Sequence, residues 1–322
     1  MNQTEYEQIS SIINEVEKAV TGKRVCVMKV FATILAGGHI LLTDVPGVGK
    51  TTMAVAFSKA LSLSTRRVQF TPDVMPSDIL GFSMYDKNKG SFIYYPGSIM
   101  CNLFLADEIN RTSPKTQSAL LEVMEEGRVT VDGNSYGVPD PFIVIATQNP
   151  KGSAGTQLLP ESQLDRFMVC MSMGYPSMES EMMILKNKAA FSGDEEVNAV
   201  IDGAMLNRMK QSVAQVFIHD SLNEYMVKLM QETRDNEMIE LGVSPRGTIA
   251  LSRLARAWAY LRGRDYVLPS DITELFMDVA KHRIVLSTKA RVGRVTEEDV
   301  LKDILKSIKA PSVAGGKKRK AN

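Results

Sequence analysis

The sequence predicts an α/β fold, in which a parallel, doubly wound sheet is followed by an all-helical region. Three observations lead to it. Short apolar runs alternate with longer helical patterns up to about residue 174, the order expected when helices cross over between parallel strands. Several of these runs are apolar nearly throughout, as strands covered on both faces are. Beyond Gly174-Tyr175-Pro176, helical periodicity continues with almost no strand-like run. The length agrees, since 322 residues is two domains' worth of chain at ~150 residues each.

The elements follow in order. Ile9, Ile12, Ile13, Val16 and Val20 share one helical face. Thr21-Gly22-Lys23 interrupts this helix, and residues 25–35 read as a second one ending at Gly37-Gly38. The strand runs are 39–43, 67–70, 103–106, 142–147 and 167–171, which makes the sheet five-stranded. Helices are expected over 178–190, 222–234, 245–262 and 269–283. The organisation is therefore a core over 1–174, a helical domain over 175–310, and a small, polar, basic tail over 311–322 with the composition of a disordered segment.

Composition excludes several classes. With 44% apolar and 23% charged residues, the chain has the make-up of an ordinary soluble globular protein. Lys plus Arg number 38 against 37 Asp plus Glu, a formal charge of +1. Four of the cations, Lys317, Lys318, Arg319 and Lys320, sit together in the tail, so the body is slightly acidic. That distribution argues against a broad nucleic-acid footprint, and the tail reads as a solubilising segment or a weak anionic contact. The polar start lacks the layout of a secretory signal. The longest apolar stretch, 25–42, carries Lys29, Gly37, Gly38 and His39 and is a poor membrane span. Cys26, Cys101 and Cys170 are scattered without a CxxC pair, and His39, His219 and His282 have no metal-ligand spacing. Reduced, mostly buried thiols in a cytoplasmic protein are expected.

The most informative segment is Ile40-Leu41-Leu42-Thr43-Asp44-Val45-Pro46-Gly47-Val48-Gly49-Lys50-Thr51-Thr52. A buried strand runs into a Gly/Pro-rich turn and then a helix beginning near Lys50. Gly47 and Gly49 let backbone N–H groups converge on phosphate oxygens, and the helix N-terminus favours the anion. Lys50 can bridge the β- and γ-phosphates, and the Thr51 hydroxyl can ligate Mg²⁺. The common pattern GxxxxGK[ST] asks for glycine where this chain has Asp44, at the point where the strand leaves the sheet.

Such a loop needs an acidic partner. Residues 102–108 supply an apolar strand ending in Asp107-Glu108, which places both carboxylates at the carboxyl edge of the sheet, where ligands bind. Asp107 would hold Mg²⁺, usually through water, and Glu108 would polarise the attacking water. The next strand leads to Gln148-Asn149-Pro150, and Asn149 can orient that water. Two arginines complete the set: Arg166, just before the fifth strand, and Arg246, at the start of a helix in the second domain. A guanidinium on the developing charge of phosphoryl transfer is worth ~10³–10⁵ in rate.

This set, in this order, resembles the AAA+ ATPases, and within them the MoxR family. The resemblance covers about residues 5–310. It rests on residues 38–42, 45–51, Gln69-Phe70-Thr71-Pro72-Asp73 with Pro76-Ser77-Asp78, Ala106-Asp107-Glu108-Ile109-Asn110-Arg111, 114–121, Ala146-Thr147-Gln148-Asn149-Pro150, 159–161, 163–167, Ser244-Pro245-Arg246 and 262–267. It implies a P-loop AAA+ core with a helical lid and an Mg-dependent ATP hydrolase. Lys50 and Thr51 match Walker A, Asp107 and Glu108 Walker B, Asn149 sensor 1, Arg166 the arginine finger acting on a neighbouring subunit, and Arg246 sensor 2 on the lid. Nucleotide contacts are implied for Pro46, Gly47, Val48, Gly49, Lys50, Thr51 and Thr52, and Gly22-Lys23 resembles the region bordering adenine. Residues 81–98 resemble the helix-2 insertion. The Asp-Gly-Asn-containing stretch 128–138, itself a hairpin signal, resembles the hairpin before sensor 1. In related rings both elements face the pore or substrate side. Residues 151–154 depart from the family's usual sequence.

A finger acting in trans implies a ring, normally a hexamer. The family association is with maturation or remodelling of other proteins and complexes, often beside a partner with a von Willebrand factor A domain. A nucleic-acid motor and a metal-chelatase motor subunit are the alternative readings. The near-neutral body disfavours the first, and the absence of metal-ligand spacing disfavours the second.

Overall fold

The computed structural model describes residues 3–44, 47–148, 159–190 and 197–311. They divide into two compact units, one up to residue 212 and one from residue 213. The division falls later than the change from mixed to helical character near residue 174, so the described residues between 175 and 212 group with the strand-rich part.

In the first unit the strands are, in chain order, β1 (Ile40–Thr43), β2 (Thr65–Gln69), β3 (Gly81–Asp86), β4 (Ser91–Pro96), β5 (Leu103–Asp107), β6 (Arg128–Val131), β7 (Asn134–Gly137), β8 (Ile143–Gln148) and β9 (Val169–Met171). Five of them make one sheet in the order β2-β5-β8-β1-β9, and every pairing in it is parallel. All of β5 is buried, as is β8 up to Thr147, so their continuous apolar character follows from cover on both faces. The edge strand β2 instead exposes Thr65, Arg66, Arg67 and Gln69, and charge on an open edge discourages further strand pairing. The helix Gln3–Ala19 buries Ile9, Ile12, Ile13 and Val16, with Val20 buried just beyond its end, and packs on the helix Lys50–Ala60.

Two hairpins project from this layer. Strands β3 and β4 pair from Gly81↔Pro96 to Asp86↔Ser91. Strands β6 and β7 are joined by Asp132-Gly133, whose φ values of 49° and 77° are those of the tight turn that matches strand twist. Tyr94 of β4 stacks on Tyr136 of β7 with ring centroids 4.0 Å apart, so the hairpins are fastened to each other by aromatic contact.

The second unit is built on the helices Asp220–Asp235, Pro245–Leu261, Pro269–Ala280, Thr288–Val292 and Glu297–Ser307. Its interior holds Leu229, Leu251, Leu254, Trp258, Leu275 and Phe276. The region is not helical throughout: β10 (Ile239–Leu241) pairs antiparallel with β11 (Val285–Leu286). Strands of two and three residues are too short to show a period of two.

A buried ion pair ties this unit together. Asp271, with no exposed surface, accepts from both terminal nitrogens of Arg264 at 2.8 and 2.6 Å and from the Leu268 amide at 2.7 Å. That hydrogen bond holds the Arg264 guanidinium above its ordinary pKa. Removing one partner of a buried pair strands the other. Asp271→Ala is expected to destabilise the second unit by about 3–5 kcal/mol, read by chemical denaturation. A loss within about 0.5 kcal/mol, the range of ordinary surface changes, would show that the pair does not hold the unit.

Candidate nucleotide site

The loop between β1 and the helix Lys50–Ala60 is shaped by two glycines. Gly47 and Gly49 take φ values of 88° and 96°, a region that side chains with a Cβ avoid. Gly49 stands at the N-cap, where no side chain bonds the first-turn amides. A helix start without a side-chain cap is the kind that receives anions. Val45 and Pro46, and with them the expected Pro46 contact, lie outside the described residues. Val48 is half-buried and Thr52 exposed.

Lys50 opens the helix and is buried. Its ammonium donates to the Asp44 carbonyl at 2.6 Å. Burial pulls its pKa below the ordinary lysine range, and the charges of Asp44, Asp107 and Glu108 oppose that shift.

The acidic pair stands opposite. Asp107 is only 4% exposed. Its Oδ2 accepts from the Thr51 hydroxyl at 3.3 Å and from Arg67 Nε at 2.7 Å. Its Oδ1 accepts from the Thr147 hydroxyl at 3.3 Å. Glu108 turns the chain out of β5 with left-handed backbone angles, φ 57° and ψ 46°. Its amide donates to the Thr147 hydroxyl oxygen at 2.9 Å, and its Oε2 accepts from Arg111 at 2.7 Å. Thr147 thus joins the two acidic residues through one hydroxyl, taking the Glu108 amide proton and giving its own to Asp107.

These oxygen donors fit a hard divalent cation. Thr51 Oγ1 and Asp107 Oδ2 are already in contact, and the Arg67 guanidinium marks the same carboxylate oxygen as a place for positive charge. Among the described residues no cluster of three or more His, Cys, Asp or Glu could hold a metal alone. Mg²⁺ sites usually combine one or two protein oxygens with substrate phosphates and water.

The other expected residues are placed as follows. Asn149 lies outside the described residues, although its neighbour Gln148 donates to the Thr43 hydroxyl at 3.1 Å. Arg166 pairs through Nε with Glu125, on the helix Pro114–Glu126, at 3.1 Å, and not with Asp107 or Glu108. Arg246 is exposed in the first turn of Pro245–Leu261, in the second unit. Lys23 Nζ is engaged by the Met173, Gly174 and Tyr175 carbonyls at 2.7, 3.0 and 2.7 Å. Beside it, a Cβ on Gly22 would stand 2.0 Å from the Ser180 hydroxyl, so Gly22 permits a close chain crossing.

Three site residues carry no role in the sequence reading: Thr147, Arg67 and Arg111. The only linear signal for Thr147 is a hydroxyl at the end of an otherwise apolar strand. Arg67 reaches Asp107 through the β2–β5 pairing, which no local pattern announces.

The comparisons agree with this geometry. Residues 39–169 match the family model described as ATPase family associated with various cellular activities (AAA), and residues 231–304 match the AAA lid domain. Chaperone MoxR1 of Mycobacterium tuberculosis is 36% identical over 318 residues, covering 96% of this chain and 84% of its own. Uncharacterized protein YeaC of Bacillus subtilis is 45% identical over 303 residues, covering 94% and 95%. A solved structure from Cytophaga hutchinsonii, assigned as an ATPase, superposes with a TM-score of 0.87 at 35% identity, covering 95% of this chain and 96% of that one. With a phosphate loop, an opposed acidic pair and relatives matched over nearly their whole length, the chain belongs to the MoxR family of AAA+ ATPases.

Proposed function

We propose that this protein hydrolyses ATP with Mg²⁺ in a ring assembly, normally a hexamer, and uses the cycle to remodel or mature protein complexes. The observation that carries the chemical part is the placement of Asp107 and Glu108 beside Thr51 and Lys50 at one edge of the sheet.

In this reading Lys50 leaves the Asp44 carbonyl for the β- and γ-phosphate oxygens. The amides of Gly47–Thr52 cradle the phosphates. Thr51 and Asp107 would hold Mg²⁺, which would supply positive charge against that developing on the phosphate oxygens. Glu108 leaves Arg111 to polarise the attacking water, with Asn149 orienting it. Arg166 exchanges Glu125 for the nucleotide of a neighbouring subunit, and Arg246 acts from the lid as sensor 2. Gly22 and Lys23 border the adenine. In the structure Lys23 binds carbonyls, so its contribution there is to position the chain.

Protein clients are supported by the slightly acidic body and by the relative named as a chaperone. A partner with a von Willebrand factor A domain is the expected co-factor of assembly. Among the described residues no helix is long and apolar enough to cross a membrane, and the cytoplasm is the proposed compartment.

Glu108→Gln is expected to keep ATP binding and to lower steady-state phosphate release at least about a hundredfold, the scale of a lost general base. Ordinary turnover by that variant would remove Glu108 from the mechanism. Arg166→Ala is expected to cost about a thousandfold in turnover. Mixing it with Glu108→Gln subunits should restore part of the activity, because the second variant supplies an intact arginine to the first variant's intact glutamate. Mixed assemblies as inactive as either parent would rule out action in trans. For the remodelling function, the Glu108→Gln protein loaded with ATP should retain client proteins that ADP releases. Steeply salt-dependent stimulation of ATP hydrolysis by DNA, without such retention, would favour a nucleic-acid motor instead.

A further inference from the structure

Asp44 and Lys23 grip one short segment from opposite sides. Strands β1 and β9 run parallel in the register Ile40↔Val169 to Leu42↔Met171, so Asp44 emerges beside Ser172–Gly174. The Asp44 carboxylate accepts from the Ser172 hydroxyl at 2.6 Å, the Met173 amide at 2.6 Å and the Gly174 amide at 3.2 Å. The Gly174 amide also reaches the Ser172 hydroxyl oxygen at 3.1 Å. The Lys23 ammonium takes the carbonyls of Met173, Gly174 and Tyr175. The strap over 172–175 therefore has its amides held by an anion and its carbonyls by a cation. Charge-assisted bonds of this kind are about twice as strong as neutral ones.

The strap also lies close to the phosphate loop. A Cβ on Gly49 would lie 3.8 Å from the Met173 methyl. More directly, the Asp44 carbonyl is the acceptor of the Lys50 ammonium. One residue thus holds the strap with its side chain and Lys50 with its backbone.

We propose that Asp44 is a positioning residue for nucleotide binding. It sets the loop so that Lys50 can transfer to phosphate, and it couples that transfer to the strap over 172–175. The inference rests on Lys50 engaging phosphate, as proposed above. When the ammonium leaves, the Asp44 carbonyl loses its charged donor, and the carboxylate loses a nearby positive charge. The grip on the Met173 and Gly174 amides then changes with occupancy. The strap leads directly into the helix Met178–Ala190, so phosphate occupancy has a covalent route out of the loop.

The test uses the full-length protein, with ADP or a non-hydrolysable ATP analogue and Mg²⁺ as the probes. Hydrogen exchange is read at Met173 and Gly174, and ATP turnover is read as kcat and KM. In the unmodified protein, nucleotide should slow exchange at these two amides, because a carboxylate relieved of a nearby cation accepts more strongly. In Asp44→Asn, exchange should be fast without nucleotide and insensitive to it. KM should rise about tenfold, the worth of one charge-assisted hydrogen bond, with kcat changed by less than about threefold, as expected for lost positioning and not lost chemistry. Ser172→Ala, a milder change, keeps both backbone bonds to the carboxylate and should show the same effects at smaller size. An unmodified strap that ignores nucleotide in a sample shown to bind it would overturn the coupling alone. Normal KM and exchange in both variants would overturn the positioning role of Asp44 together with the coupling. Failure of the unmodified protein to bind any nucleotide would overturn both this inference and the ATPase mechanism beneath it.

Discussion

The arrangement of the site depends on one buried carboxylate. Asp107 is nearly sealed from water, and a charge in that position is tolerated only with partners. It draws them from three elements: Arg67 from β2, Thr147 from β8 and Thr51 from the helix after β1. All three reach it because the sheet is parallel and β5 lies between β2 and β8. Strand tips then emerge on the same edge, and the pairing of Ala106 with Ala146 sets Thr147 beside the acidic pair. An antiparallel β5 would have sent Asp107 to the opposite edge, away from the phosphate loop. Thr147 extends the effect to Glu108, whose left-handed backbone is held by the amide bond to that hydroxyl.

The charged groups of the site are balanced among themselves. Lys50 has the Asp44 carbonyl, Asp107 has Arg67, Glu108 has Arg111 and Arg166 has Glu125. On the proposed mechanism, binding energy is a difference between partners, because each group would exchange an internal contact for a phosphate, cation or water. The buried Lys50 contact is the costly one to break without replacement. The bonds of the half-exposed Arg67 and Arg111 are screened and cheaper to exchange. On the proposed mechanism the two arginines would give up their contacts more readily than Lys50. The field from Asp44, Asp107 and Glu108 opposes loss of the Lys50 charge, which suits the phosphate contact proposed for it.

How much of this was legible in the sequence depended on how locally each feature is encoded. Strands β1, β5 and β8 were found within a residue or two because burial on both faces demands continuous apolar runs. Strand β2 begins at Thr65, two residues before the run that suggested it, since an open edge favours Thr65, Arg66 and Arg67 over apolar residues. The β10–β11 ladder was invisible, because its pairing is set by the helices around it and not by its own few residues. At the site, Lys50, Thr51, Asp107 and Glu108 were readable from a strand–turn–helix and a strand ending in acid. Arg67, Thr147 and the partners of Asp44 were not, because each acts across the sheet, where sequence distance conveys nothing.

Asp44 shows why a departure from a pattern can carry information. Glycine is required in a phosphate loop where the backbone turns left-handed or where a phosphate must approach closely. Gly47 and Gly49 meet the first condition, with φ near 90°. Asp44 does not: it is not among the described non-glycine residues with positive φ. A side chain there is free of backbone strain, and the segment that follows the parallel neighbour β9 offers it two amides and a hydroxyl. The missing glycine therefore removes nothing the loop needs. In its place the chain has a carboxylate that fastens the start of the loop to the strand beside it. A sequence pattern scores that position as a defect, whereas the fold makes it the point at which the phosphate loop is anchored.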